Sequence, residues 1–186
     1  MVTKMKKILI IIVFIPLFSI GQSFAQEQIG SIEFEGNERF SDEKLRSIIQ
    51  SKPSQDFDEY KIFKKDRERV LNFYRKEGYL NVEVGIDIVS VNDIIFQISE
   101  GNQVFLRTLK INGNEVISID KLLGMVKIKN GEPLNLGKVA ETEYEIVEYY
   151  SSKGYIYIEI DREVVRKNGK ANVILHINEG PLVYVG

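Results

Sequence analysis

The sequence predicts an α+β fold: two tandem β-α-α-β-β modules, each a three-stranded sheet covered on one face by two helices. Three observations predict it. Matched blocks recur in the same order about 77 residues apart, the mark of a repeated unit. Each repeat carries one long stretch whose apolar residues fall on a single helical face. After a glycine, each such stretch gives way to strict apolar–polar alternation, as in strands with one dry and one wet face.

The blocks are specific. Ile32-Glu33-Phe34-Glu35-Gly36-Asn37 corresponds to Leu109-Lys110-Ile111-Asn112-Gly113-Asn114. Phe73-Tyr74 with Gly78-Tyr79 corresponds to Tyr149-Tyr150 with Gly154-Tyr155, and Glu100-Gly101 with Val104-Phe105 to Glu179-Gly180 with Val183-Tyr184. The spacing between copies drifts slightly, which is expected to happen in loops. Domains are expected at 26–104 and 105–183, with 184–186 the apparent start of a further, truncated module.

Taking the elements in order, Ile32 and Phe34 alternate with Glu33 and Glu35 and stop at Gly36-Asn37, a strand ending in a tight turn. Ser41 before Asp42 and Glu43 opens a short helix, since a hydroxyl caps free amides and acids suit the dipole. It carries Leu45, Ile48 and Ile49; the counterpart begins at Ser118 and carries Leu122, Leu123 and Val126. The long second helix is expected over 58–77 and 136–153. Its apolar face is Phe63, Val70, Leu71 and Tyr74 in one copy and Val139, Ile146, Val147 and Tyr150 in the other. The acidic group Asp56, Asp58 and Glu59 reads as the cap of that helix. Gly78 and Gly154 stand where a left-handed C-terminal cap is wanted. The strand that follows presents Leu80, Val82, Val84, Ile86 and Ile88, or Ile156, Ile158, Ile160 and Val164. Turns at Asn92-Asp93 and Asn168-Gly169 return it as a third strand through Ile94, Phe96 and Ile98, or Val173, Leu175 and Ile177.

Composition narrows the function classes. There is no cysteine, which excludes thiol nucleophiles and zinc ribbons and leaves packing alone to hold the fold. The formal net charge is −2, and nothing resembles a basic stripe, so a nucleic-acid partner is not expected. There is no glycine-rich phosphate loop, no Gly-x-Ser-x-Gly and no metal-spaced cluster, so neither enzyme, cofactor nor metal site is expected. The single histidine, His176, reads as a solvated strand residue. At the N-terminus, Lys4, Lys6 and Lys7 precede an apolar run from Ile8 to Ile20 and a Ser23-Phe24-Ala25 cleavage pattern. The run is shorter than the roughly 20 residues of a membrane span. Residues 1–25 are therefore expected to be a signal peptide, and the chain to be exported.

This order of motifs, twice over, resembles the POTRA (polypeptide-transport-associated) domains of the outer-membrane assembly factor (BamA) and surface-antigen superfamily. The resemblance covers the whole chain after residue 25. It implies a periplasmic arm that binds unfolded outer-membrane β-barrel proteins, works beside other assembly-machinery subunits, and meets the outer membrane only through a C-terminal barrel that these residues lack. The POTRA region of a two-partner secretion transporter and a free-standing periplasmic scaffold are the alternative readings.

A three-stranded sheet leaves open borders, whose free amides and carbonyls can pair with an extended chain. In the family, the strand after each Gly-Tyr is such a border. The candidate client-binding residues are therefore Asn81, Val82, Glu83 and Val84, and Tyr157, Ile158, Glu159 and Ile160. Tyr157, Ile174 and Ile95 either form an apolar patch on the wet face or are the scattered apolar residues that any surface carries, and the second reading is the one expected.

Overall fold

The computed structural model describes residues 27–90 and 92–184. The expected signal peptide and the last two residues of the expected third start lie outside them. Module one comprises β1 (Ile32–Glu35), α1 (Asp42–Arg46), a π-helical segment (Lys61–Asp66) running straight into α2 (Arg67–Lys76), β2 (Glu83–Ser90) and β3 (Asp93–Ser99). Module two comprises β4 (Phe105–Asn112), α3 (Ile119–Leu123), α4 (Leu136–Ser152), β5 (Glu159–Lys167) and β6 (Lys170–Asn178).

In both sheets the last strand lies in the middle: the orders are β1-β3-β2 and β4-β6-β5. The hairpin supplies an antiparallel neighbour, β2 on β3 and β5 on β6. The long crossover through the helices brings β1 and β4 to the other side in parallel, which a short turn could not do. Each module buries its own core. Ile32, Leu45, Ile62, Val70, Tyr74, Ile94 and Phe96 form one cluster; Leu106, Leu122, Leu134, Val139, Ile146, Val173 and Leu175 form the other.

Several local expectations are met by specific bonds. Ser41 caps α1 by accepting from the Lys44 amide, and Asp58 accepts from the Lys61 amide ahead of the long helix. Both long helices end in a Schellman motif. Gly78 (φ +86°) and Gly154 (φ +92°) take the left-handed position. The Tyr79 and Tyr155 amides reach back to the Tyr74 and Tyr150 carbonyls at 3.0 and 3.1 Å. The paired rings then pack edge to face, 5.6 and 6.1 Å apart. Asn92 and Asn168 hold the left-handed hairpin positions, and Asp93 already belongs to β3.

Three expectations are corrected. The first helix is shorter than its apolar residues suggested: Ile48 and Ile49 lie beyond the end of α1. Val126 likewise lies beyond the end of α3, which Ser118 opens as expected. Phe63 is exposed, and Ile62 takes the buried place beside Val70 and Tyr74. The cause of the last is an insertion absorbed inside the helix, not in a loop. Ile62 matches Val139, whereas Asp66 matches Thr142, so module one has one more residue between these positions than module two. The wide π turn takes up that residue while both flanking positions stay buried.

Candidate functional site

β2 and β5 are border strands, as the topology requires. Only half of each candidate quartet lies on them. Glu83 and Val84 begin β2, and Glu159 and Ile160 begin β5. Asn81 and Val82 precede the strand in the turn after Gly78, where the Val82 amide donates to the Tyr79 carbonyl and its side chain is buried. The Asn81 side-chain oxygen accepts from Arg166 of β5 at 3.3 Å, a bond between the modules. Tyr157 and Ile158 occupy the equivalent turn in module two; Tyr157 is exposed and the Ile158 amide donates to Tyr155. These four residues serve the turn because the chain must reverse after the helix cap before it can join the sheet.

The two borders differ in what covers them. Arg67, on the first turn of α2, donates from Nε to the Val84 carbonyl at 2.6 Å, so one acceptor at the start of β2 is already taken. The equivalent residue of α4 is Glu143. Its Oε1 lies 3.5 Å from Arg162 Nε on β5, and burial lifts its pKa, partly opposed by that guanidinium. A carboxylate cannot guard a carbonyl. The charges on the borders also differ: β2 carries Glu83 and Asp87 around Gly85, whereas β5 alternates signs through Asp161, Arg162, Glu163 and Arg166.

Tyr157, Ile174 and Ile95 do not assemble into one apolar patch. Ile95 and Ile174 are half-buried on two different sheets, and Tyr157 is in a turn. His176 stands on the open face of β6 with Nε2 3.5 Å from Glu163 Oε2.

The matched glutamates, visible in the sequence only as a repeated Glu-Gly, tie each module together. Glu100 Oε1 accepts from the Tyr74 hydroxyl (2.9 Å) and the Arg39 amide (2.9 Å). Glu179 Oε1 accepts from the Tyr150 hydroxyl (2.7 Å) and from the Glu115 and Val116 amides (both 2.9 Å). One carboxylate thus fastens the end of the central strand to the long helix and to the loop after the first strand. Burial, then the neighbouring carboxylate, push both tyrosine hydroxyls well above their ordinary pKa. Burial works to raise Glu179, but the hydrogen bonds from Tyr150 and from the backbone amides of the 115–117 stretch outweigh it and hold its pKa low.

The joint between modules is built from the residues that follow the helix cap. The Val104 amide donates to the Gly78 carbonyl at 2.9 Å, and Gln103 Nε2 to the Glu77 carbonyl at 2.8 Å. Leu80, read from the sequence as a strand residue of the first core, packs against the second core. Any side chain at Gly78 would put its Cβ 2.6 Å from the Val104 carbonyl oxygen, so glycine is required by the contact as well as by the cap. Beside the joint lies a cleft of about 340 Å³ between Arg75, Lys76 and Leu80 on one side and Asn135, Leu136 and Gly137 on the other. The matching apolar residue after each Gly-Tyr, Leu80 and Ile156, was the signal available in the sequence.

The family profile of POTRA, described as a surface antigen variable number repeat, matches residues 27–101 and again 105–180. The chain belongs to the POTRA family. Among curated POTRA relatives it is 29% identical over 179 residues to the outer membrane protein assembly factor BamA of Neisseria meningitidis serogroup B, a match covering 85% of this chain. It is 24% identical over 163 residues, 80% of this chain, to BamA of Neorickettsia risticii. In both cases the match takes in only 22% of the relative's length. Among solved structures, POTRA domains 3–5 of Haemophilus influenzae BamA align with a TM-score of 0.65 at 19% identity, covering 83% of this chain and 67% of that one. POTRA domains 1–2 of Omp85 from Anabaena align with a TM-score of 0.53 at 17% identity, covering 84% and 98%. These structural likenesses are likenesses of fold.

Proposed function

We propose that these two POTRA domains form part of the periplasmic arm of an outer-membrane protein assembly factor, and that they hold unfolded β-barrel clients by adding client segments to the β2 and β5 borders. The chain acts as a scaffold that presents sheet edges, not as a catalyst. The observation that carries the reading is the strand order: with β3 and β6 central, β2 and β5 each keep one side unpaired. The names of the curated relatives and the leader pattern in residues 1–25 support the compartment. Backbone pairing is indifferent to client side chains, which suits clients that share only an alternating strand pattern. Each bond nets about 0.5–1.5 kcal/mol, so a few of them give a contact suited to transfer rather than storage.

The β5 border is the better site, because β2 has its Val84 carbonyl occupied by Arg67. A photoreactive amino acid at Glu159, Asp161 or Glu163 should crosslink to an unfolded outer-membrane protein. The same group at Glu148, on the exposed face of α4, serves as the comparison. Equal yields from strand and helix would defeat the proposal.

A further inference from the structure

We propose that the cleft beside the joint is a docking site for an acidic segment of a partner protein, one in which two carboxylate side chains flank an apolar residue. This inference concerns the cleft alone and stands independently of strand addition at the sheet borders.

The cleft, about 340 Å³, lies between the end of α2 and the start of α4. Leu80 and Leu136 line it as half-buried side chains that also pack on the second core, so its floor is apolar. Arg75 and Lys76 stand exposed on the α2 side. Among the described residues neither side chain has a hydrogen bond, an ion pair or a ring contact. Asn135 spends its side-chain oxygen on capping α4, accepting from the Lys138 amide at 3.1 Å. What it has left for a ligand is its NH2 group, a further donor.

The other module shows the same positions with the opposite charge. Aligned through Tyr74–Tyr150, Arg75 and Lys76 match Ser151 and Ser152, and Asn72 matches Glu148. Aligned through Ile62–Val139, Asn135, Leu136 and Gly137 match Asp58, Glu59 and Tyr60. These counterparts hold three acids and no base, whereas the cleft holds two bases and no acid. The reversal occurs in a chain whose formal net charge is −2. Basic residues suit a helix end, but the fold does not demand them there, because α4 closes on the same glycine cap with none in its last turn. Glycine in place of Tyr60 also keeps a ring out of the cleft.

The charge pattern selects the occupant. Two cations over an apolar floor complement two carboxylates with an apolar side chain between them, and Arg75 is suited to a carboxylate through two parallel hydrogen bonds. A chain end offers one carboxylate, and a simple anion would leave both leucines wet. The volume is at the lower end of the range for ligand sites, about 300–1,000 Å³, so a few residues of chain fill it.

The test titrates the full chain with a Gly-Glu-Leu-Glu-Gly peptide blocked at both ends, read by methyl NMR. Saturable shifts are expected at Leu80 and Leu136, weakening at high salt as exposed ion pairs do. The peptide with Gln for both Glu residues should not bind. Arg75→Gln with Lys76→Gln should raise the Kd about tenfold. Arg107→Gln with Lys110→Gln, which removes two exposed cations from β4, should leave it unchanged. Asn135→Asp returns an acid to the cleft while preserving the cap, and should also raise the Kd. Equal binding of the Gln peptide, or a Kd unmoved by the Arg75 and Lys76 pair in a chain whose other methyl signals are unchanged, overturns the proposal. So does equal binding of a peptide whose only carboxylate is its own C-terminus, which would assign the cleft to chain ends. Matching shifts from phosphatidylglycerol vesicles would overturn it in favour of an anionic lipid surface.

Discussion

Module one and module two hold the same helix against the same loop with different chemistry. In module one the buried Asp66 accepts from the Gln50 amide (2.8 Å) and the Ser51 amide (2.9 Å), with Arg69 at 3.0 Å. In module two Thr142 accepts from the Lys127 amide (3.0 Å) and returns its own proton to the Lys138 carbonyl. A fully buried carboxylate is sustained by two backbone amides and a cation, whereas a hydroxyl manages with one bond in and one out. The comparison teaches that the fold asks for an acceptor at this place, and that the number of amides it must serve decides which residue supplies it.

The largest expected effect is at that acceptor. Asp66→Ala leaves two amides without a partner and should lower stability by about 3 kcal/mol in urea unfolding, whereas Thr142→Ala should cost about 1 kcal/mol. Equal losses would break the comparison. Next comes the joint: Gly78→Ala adds left-handed strain of about 1–2 kcal/mol and should also uncouple the modules in NMR relaxation. The third concerns the inserted residue. Deleting Lys64, on the exposed side of the π turn, should leave module one folded with a regular helix from Glu59 to Lys76, visible as a continuous α-helical amide pattern. The fourth sharpens the difference between borders. Arg67→Gln frees the Val84 carbonyl and should raise crosslinking from β2 about fivefold, roughly one hydrogen bond's worth, with β5 unchanged. The smallest is a matter of pH. The pKa of Glu179 is lowered in the folded state from its ordinary 4.5. Its contribution is therefore complete above that value and is lost as the pH falls through the lower, folded one. Glu179→Gln should flatten this acid-side decline in module two.

The architecture was legible because its signals are local. Glycine after a helix, asparagine in a hairpin and alternation along a strand each carry their own geometry. Repetition then doubled every one of them. The insertion was also present in the sequence, as the change of match from Ile62–Val139 to Asp66–Thr142. It could be located within a helix only once the π turn was seen, since spacing alone does not distinguish a loop from a widened turn. The borders were legible as strands but not where they begin. Alternation runs through Leu80 and Val82 as smoothly as through Val84, although the first packs on the neighbouring core and the second belongs to a turn. Arg67 gave no signal, because a surface arginine on a helix resembles any other until the carbonyl beneath it is known.

The parallel strand has a consequence for arrays of these units. Because β1 and β4 enter each sheet on the side away from β2 and β5, neither of them pairs with the β2 and β5 borders. Under the proposed capture of clients, lengthening such an array adds one border of the β2 or β5 kind with each module. On that proposal, valency grows with repeat number.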